Sequence, residues 1–314
     1  MNKLISIIVP CYNEQEVLPL FYENIQSTRN TLKEQNVDTE LIFIDDGSID
    51  NTINILKENY EKDNTLNYIS FSRNFGKEAA ILAGLKAAKG DYATVIDADL
   101  QHPPELIIDM YNELKSGEYD SVATYKDNRK KEGFFRRSFS KLFFKLLNKL
   151  TKLNIVEGAT DFRLMNRVMI NAIISLPESN RFSKGIFNWV GFKTKWIPFN
   201  LTERVAGDSK WSFKQLLHYS LDAIISFSEF PLKLCSYLGL IFCFVSFFSG
   251  LIHLIKTLIF GEEVAGFPTL YLMMLLLSGI VLLFLGVLGQ YIARIYIEIK
   301  HRPLYIIREE SNSK

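Results

Sequence analysis

The chain has 314 residues and a formal net charge of +1, with 48% hydrophobic and 23% charged residues. That length supports one large domain or two modest ones, and the near-neutral balance gives no global argument for nucleic acid as a partner. Cys11, Cys235 and Cys243 show no metal-ligand spacing, which argues against a disulfide framework and fits a reducing compartment.

The opening "MNKLISIIVP" is too short an apolar run for a signal peptide, and the polar "CYNEQE" follows at once, so the N-terminus is expected in the cytoplasm. "LISIIVP" (4–10), "LIFIDD" (41–46), "LNYISF" (66–71) and "YATVID" (92–97) read as buried strands. Helical patterns lie between them, near 15–34, 51–62 and 76–88. This alternation predicts βαβ units and a parallel sheet covered on both faces. Ligands then bind outside the carboxyl ends of the strands. The tips Tyr12-Asn13-Glu14, Asp45-Asp46-Gly47-Ser48, Ser72-Arg73-Asn74 and Asp97-Ala98-Asp99 should therefore converge on one edge.

The fourth tip continues as "VIDADLQHPPE", with Asp97 and Asp99 expected on the same side of a strand by its period of two. Paired carboxylates followed by the Gln101 amide are hard oxygen donors suited to Mg2+ or Mn2+. The plainer reading is a solvated turn, with Pro103-Pro104 opening the next helix. The nearby "IDDGSID" favours metal. His102 sits beside the motif in a turn, and a structural role is expected for it.

Residues 126–152 hold ten Lys/Arg against two Asp/Glu, and Phe139, Leu142, Phe143, Leu146, Leu147 and Leu150 recur at helical spacing. A basic amphipathic helix over about 133–150 is expected, lying on an anionic membrane surface. A second interfacial segment is expected at 211–233. The stretches 236–260 and 269–293 each offer the roughly 20 apolar residues that a membrane span needs. Between them "GEEVAGFP" is acidic, whereas Lys233, Arg294, Lys300 and Arg302 flank the outer ends. The positive-inside rule then places both termini in the cytoplasm. The expected organisation is a catalytic domain over 1–210, an interfacial region at 211–233, two membrane helices within 234–300 and a cytoplasmic tail at 301–314.

"VPCYNE", "FIDDGSID", "SRNFGKEAA", "DADLQHPPE", "GATDFRLM" and "RVAGDSKW" together resemble the family 2 inverting glycosyltransferases. More narrowly, they resemble the polyprenyl-phosphate group, which includes bactoprenol glucosyltransferases and dolichyl-phosphate mannose synthases. The resemblance covers essentially the whole chain. It implies a GT-A fold, which is a Rossmann-like α/β domain, with a nucleotide-sugar donor, a divalent cation and a lipid-phosphate acceptor.

Carried onto this sequence, the resemblance makes Asp46 the acceptor of a hydrogen bond from the nucleotide base, with Pro10, Tyr12 and Glu14 completing the pocket. Asp97 and Asp99 face the ribose and the metal-bound diphosphate, with Gln101 as a further ligand. Arg204 and Lys210 belong to a mobile loop closing over the diphosphate. Arg163 suits bidentate contact with the lipid phosphate, and Arg136 and Arg137 suit either that anion or lipid head groups. Asp161 stands where the family suggests a catalytic base. A phosphate acceptor with a second pKa near ~6 is already mostly dianionic, however, so a positioning role on Arg163 or Lys210 is favoured.

The expected reaction moves a sugar, glucose or N-acetylglucosamine, from a UDP-sugar to undecaprenyl phosphate at the cytoplasmic membrane for cell-envelope glycosylation. The alternatives are a mannose-type synthase using GDP-mannose and a non-catalytic membrane-tethered nucleotide-sugar sensor. A processive synthase is disfavoured, because its extra acceptor motifs and multi-helix channel are absent from the sequence. Assembly as a homo-oligomer is left open, since "GVLGQ" falls short of a helix-packing motif. Asp99→Ala is expected to abolish turnover while leaving membrane insertion intact. Full activity in that variant, or in wild type with excess chelator, would remove Asp99 from a metal site.

Overall fold

The first apolar run forms β1 (Lys3–Cys11), and its Ile5, Ile7, Ile8 and Val9 are all fully buried. Neighbouring strand residues point to opposite faces, so burial of consecutive side chains means that both faces of this strand are covered. The structure is a computed structural model describing residues 2–126, 148–150, 156–199, 228–260 and 266–311. The basic segment expected at about 133–150 and the 211–233 stretch lie mostly outside the described residues. Arg136, Arg137, Arg204 and Lys210 lie outside them altogether.

After β1 come α1 (Leu18–Glu34), β2 (Val37–Asp45), α2 (Thr52–Lys62), β3 (Leu66–Phe71), α3 (Lys77–Ala87) and β4 (Tyr92–Val95). Then follow α4 (Leu106–Leu114), β5 (Ser121–Lys126), β6 (Ala159–Asn166), α5 (Arg167–Ser175), α6 (Ser183–Trp189) and β7 (Thr194–Phe199). The chain ends with α7 (Phe230–Phe260), α8 (Phe267–Ile299) and β8 (Ile307–Glu310). In α1 the buried Leu18, Phe21, Ile25 and Leu32 recur at helical spacing, with Pro19 tolerated in the first turn. These residues join Ile5, Ile7 and Val9 of β1 and Ile107 and Met110 of α4 in one core cluster. On the other face of the sheet α3 lies so close that a Cβ on Gly84 would stand 2.2 Å from Cγ2 of Ile8.

The described residues form an eight-stranded sheet in the order β7-β5-β6-β4-β1-β2-β3-β8. β4, β1, β2 and β3 are parallel neighbours, as the βαβ pattern predicts. Beyond these four strands the sheet is mixed at both ends. β6 runs antiparallel to β4 and β5, and β8 runs antiparallel to β3. The strand expected over 92–97 stops at Val95, so the period-two argument no longer applies to Asp97 and Asp99. The chain leaves the ladder after Ile96, whose N–H still donates to Ile8 O, and turns at Leu100, where φ is +57°.

The chain forms two compact units, Met1–Leu216 with Pro303–Lys314, and Leu217–Arg302. The stretch expected as a tail thus contributes β8 to the sheet unit. In the second unit, α7 and α8 have 31 and 33 residues. A helix of that length measures about 46–50 Å, longer than the ~30 Å hydrocarbon core of a bilayer. Residues 230–249 and 276–299 are long and apolar enough to cross a membrane, and neither stretch is buried within protein. So much exposed apolar surface marks membrane association. The helices lie side by side as a hairpin, and the Tyr291 hydroxyl donates to Ser228 O at 2.8 Å.

Gly84→Ala is expected to destabilise the sheet unit by about 1–3 kcal/mol through overpacking against Ile8. Urea unfolding of the detergent-solubilised protein checks this, and an unchanged midpoint would show that Ile8 repacks freely.

Candidate active site

Parallel pairing of β1, β2, β3 and β4 brings their carboxyl ends to one edge, and the loops there are stitched together through side chains. After β1, Asn13 N–H donates to Ser48 Oγ, Ile49 N–H donates to Asn13 Oδ1 and Glu14 N–H donates to Thr52 Oγ1. Asp46 N–H donates to Cys11 O. Tyr12, 37% exposed, and Glu14 therefore sit on a loop held against the one that carries Asp46, and Pro10 precedes them within β1, paired with Ile44. Gly47 has φ +69°, and a Cβ there would fall 2.3 Å from the backbone carbon of Arg73, so glycine is required on both counts.

The two adjacent aspartates divide their work. Asp45, buried, accepts from Ser48 N–H at 3.0 Å and from the Ser70 hydroxyl at 2.6 Å. Asp46 accepts from Phe75 N–H at 2.6 Å and from Gly76 N–H at 2.9 Å. Burial raises the Asp46 pKa, and these two N–H groups oppose the rise. Asp46 is 4% exposed, so its observed task is to hold the β3–α3 loop. The Gly76 N–H also reaches Oδ1, at 3.2 Å. Three of the roughly four acceptor positions of this carboxylate are thus engaged.

At the centre stands Lys77, the first residue of α3. Its ammonium lies 2.6 Å from Asp97 Oδ1 and 3.3 Å from Asp161 Oδ2. The register of β6 on β4 explains the convergence. Tyr92 pairs with Asn166 and Val95 with Arg163, so the antiparallel ladder brings the carboxyl end of β4, just before Asp97, beside the part of β6 that carries Asp161. Burial alone would lower the Lys77 pKa, but Asp97 and Asp161 outweigh it and raise the value. Burial raises Asp161, yet Lys77, Lys184 and Arg163 together bring it below the ordinary carboxylate value. Asp161 is therefore an ionised carboxylate at neutral pH and a weak base.

Arg163 lies on the same strand face two residues on, 1% exposed, with its guanidinium 4.1 Å from the centre of the Phe187 ring. Burial lowers its pKa to about 10. Among the described residues, Arg163 Nε and Nη2 and Asp161 Oδ1 find no hydrogen-bond partner. Among the described residues Asp161 is ion-paired with Lys77, a partner the sequence did not point to, and the Arg163 charge also acts on it. An acceptor phosphate could reach Arg163 only if the covering side chains move.

Asp99 Oδ1 accepts from Gln101 N–H at 3.1 Å, an Asx turn that sets the two side by side. Among the described residues no three His, Cys, Asp or Glu side chains cluster as a ready metal cage. Asp97 nevertheless already accommodates a cationic group, and carboxylates completed by phosphate oxygens are a donor set that Mg2+ and Mn2+ accept. The residues fit a cation whose shell the substrate completes. His102 is 6% exposed and packs on Phe162 and Phe199, with its pKa lowered by burial, in keeping with a structural role.

Sequence reasoning missed Lys77 and Glu78. Both stand in the quoted "SRNFGKEAA", and a lysine in the first turn of a helix opposes the helix dipole, which was a usable signal. Glu78 accepts from Ser183 N–H at 3.0 Å and from the Ser183 hydroxyl, which ties α3 to α6. Burial, reinforced by the charge of Asp161, raises its pKa from 4.5 to about 7.

Residues 6–174 match the family described as glycosyl transferase family 2. The chain is 43% identical over 306 residues to the bactoprenol glucosyl transferase of Shigella phage SfV, covering 98% of each. It is 41% identical over 304 residues to the prophage bactoprenol glucosyl transferase homolog of Escherichia coli K12, covering 97% of this chain and 98% of the relative. Among solved structures, it is similar to glucosyl-3-phosphoglycerate synthase from Mycobacterium tuberculosis in complex with Mn2+, uridine diphosphate and phosphoglyceric acid. There the TM-score is 0.51 at 20% identity, over 71% of this chain and 76% of that one, a likeness of fold.

Two outcomes are expected at this site. Asp161→Asn cuts turnover strongly, and raising the pH from about 6 to 9 does not restore it, because an acceptor phosphate with a second pKa near ~6 is already mostly dianionic and leaves little proton to remove. Recovery of most of the rate at high pH would make Asp161 the base. For Glu78, the folded state holds more protons than the unfolded state between pH 4.5 and about 7. Stability is then greatest below that window and falls as pH rises through it, by on the order of 1–3 kcal/mol. Glu78→Gln should flatten this slope in unfolding curves recorded across the window.

Proposed function

Because the chain belongs to glycosyl transferase family 2, we propose that it transfers glucose from UDP-glucose to a polyprenyl phosphate in the membrane, with inversion at the anomeric carbon. The observation that carries this reading is the full-length relation to bactoprenol glucosyl transferase. That relation spans 98% of both chains, so it takes in the sheet unit and the two apolar helices together.

Asp97 and Asp99, with Gln101 beside them, would hold a divalent cation, Mg2+ or Mn2+, which when bound would supply positive charge to the diphosphate leaving group. Lys77 adds an ammonium beside Asp97, where negative charge accumulates as the donor bond breaks. Asp46, Pro10, Tyr12 and Glu14 border the nucleoside, with Asp46 acting largely through the loop it holds. Arg204 and Lys210 close over the diphosphate.

A phosphate acceptor attacks as a dianion and needs little help in losing a proton, so Asp161 serves to hold Lys77 in place. Arg163 supports the charge of Asp161 from within the protein, and its unmet N–H groups favour an anion. Arg136 and Arg137 meet the acceptor phosphate or the anionic membrane surface. Lys233, Arg294, Lys300 and Arg302 flank the hairpin and favour both termini on the cytoplasmic side.

Purified protein given radiolabelled UDP-glucose, undecaprenyl phosphate and Mn2+ is expected to form an organic-soluble glucosyl lipid. None should form from undecaprenol, which lacks the phosphate. Label entering the lipid only from UDP-N-acetylglucosamine or GDP-mannose would overturn the choice of glucose.

A further inference from the structure

We infer that the segment after α8 is a working part of the donor site, and that Tyr305 is a positioning residue for the loop that delivers Lys77. This rests on reading the β3–α3 loop as a wall of the nucleotide-sugar pocket. The Tyr305 ring stacks on Phe71 with centroids 4.9 Å apart and planes 14° from parallel. Phe71, the last residue of β3, meets Phe75 edge-on at 5.8 Å. Phe75 and Gly76 donate their N–H groups to Asp46, and the next residue is Lys77. The same tail accepts from Ser72 N–H through Ile306 O at 2.9 Å, at the start of the loop. Lys86 of α3 places its ammonium 5.8 Å from the centre of the Tyr305 ring, beyond the end of the loop.

Residues 305 and 306 thus brace the start of the loop at Phe71 and Ser72, and Phe71 passes the contact on to Phe75. β8 itself is fastened separately, by its ladder to β3, by Ser311 N–H donating to Tyr68 O, and by the Lys57–Glu309 ion pair at 2.8 Å. Removing the Tyr305 ring thus leaves the strand its own attachments and loosens the loop selectively. A tail that only covered the open edge of β3 would affect stability and leave nucleotide affinity alone.

The test uses full-length protein in detergent, with UDP affinity measured by calorimetry in the presence of Mn2+ and with thermal unfolding recorded alongside. Tyr305→Leu is expected to weaken UDP at least fivefold in folded protein, whereas Tyr305→Phe, which keeps the stack, stays within twofold of wild type. Should Tyr305→Leu fail to fold, Tyr305→Met is read in its place against the same fivefold threshold. Wild-type affinity in the leucine or methionine variant overturns the inference and leaves the donor reading standing. Absence of UDP binding by the wild type overturns the donor reading itself, and this inference with it.

Discussion

The site depends on one ammonium held between two carboxylates. Asp97 follows β4 and Asp161 comes from the antiparallel β6, and Lys77 is within ion-pair distance of both. Two like charges about 4 Å apart repel by roughly 4 kcal/mol at the effective dielectric of a protein surface, so a cation between them decides whether they can stand opposite each other ionised. Lys77 keeps them so, and it makes the edge of the sheet a place already shaped for positive charge.

Lys77 is in turn only as well placed as the loop before it, and that loop hangs from Asp46. The adjacent Asp45 spends its carboxylate on Ser48 and Ser70, fastening its own strand end, while Asp46 reaches across to Phe75 and Gly76. Asp45 ends β2 and Asp46 begins the loop after it, so two neighbouring carboxylates fasten two different loops. The result is a set of strand-end loops preorganised before any ligand arrives, the condition under which electrostatic stabilisation of a leaving group is most effective.

The membrane half follows a different logic. Among the described residues of 230–249 in α7 and 276–299 in α8, none is buried within protein, and their composition suits lipid. An enzyme whose acceptor is confined to the bilayer gains from such a tether through local concentration and orientation. The chain then leaves α8 and returns as β8 to the sheet, so the hairpin interrupts the sheet unit in sequence and does not end it.

Local periodicity alone determined the first four strands and the helices between them, the convergence of their tips and the two apolar helices. Those features depend on neighbours within a few residues, and ordered motifs were enough to identify the family. Long-range pairing decided the rest. No periodicity reveals that β6 runs antiparallel to β4, yet that pairing is what brings Asp161 near the carboxyl end of β4, where Asp97 follows. β4 stops at Val95 and the chain then turns through Leu100 with positive φ, a conformation that its side chain does not announce. Glu78 and Lys77 read as ordinary charges at a helix start until tertiary packing gives one a serine at the head of α6 and the other two carboxylates. β8 is four residues of mostly charged sequence, and only the unpaired edge of β3 makes it a strand.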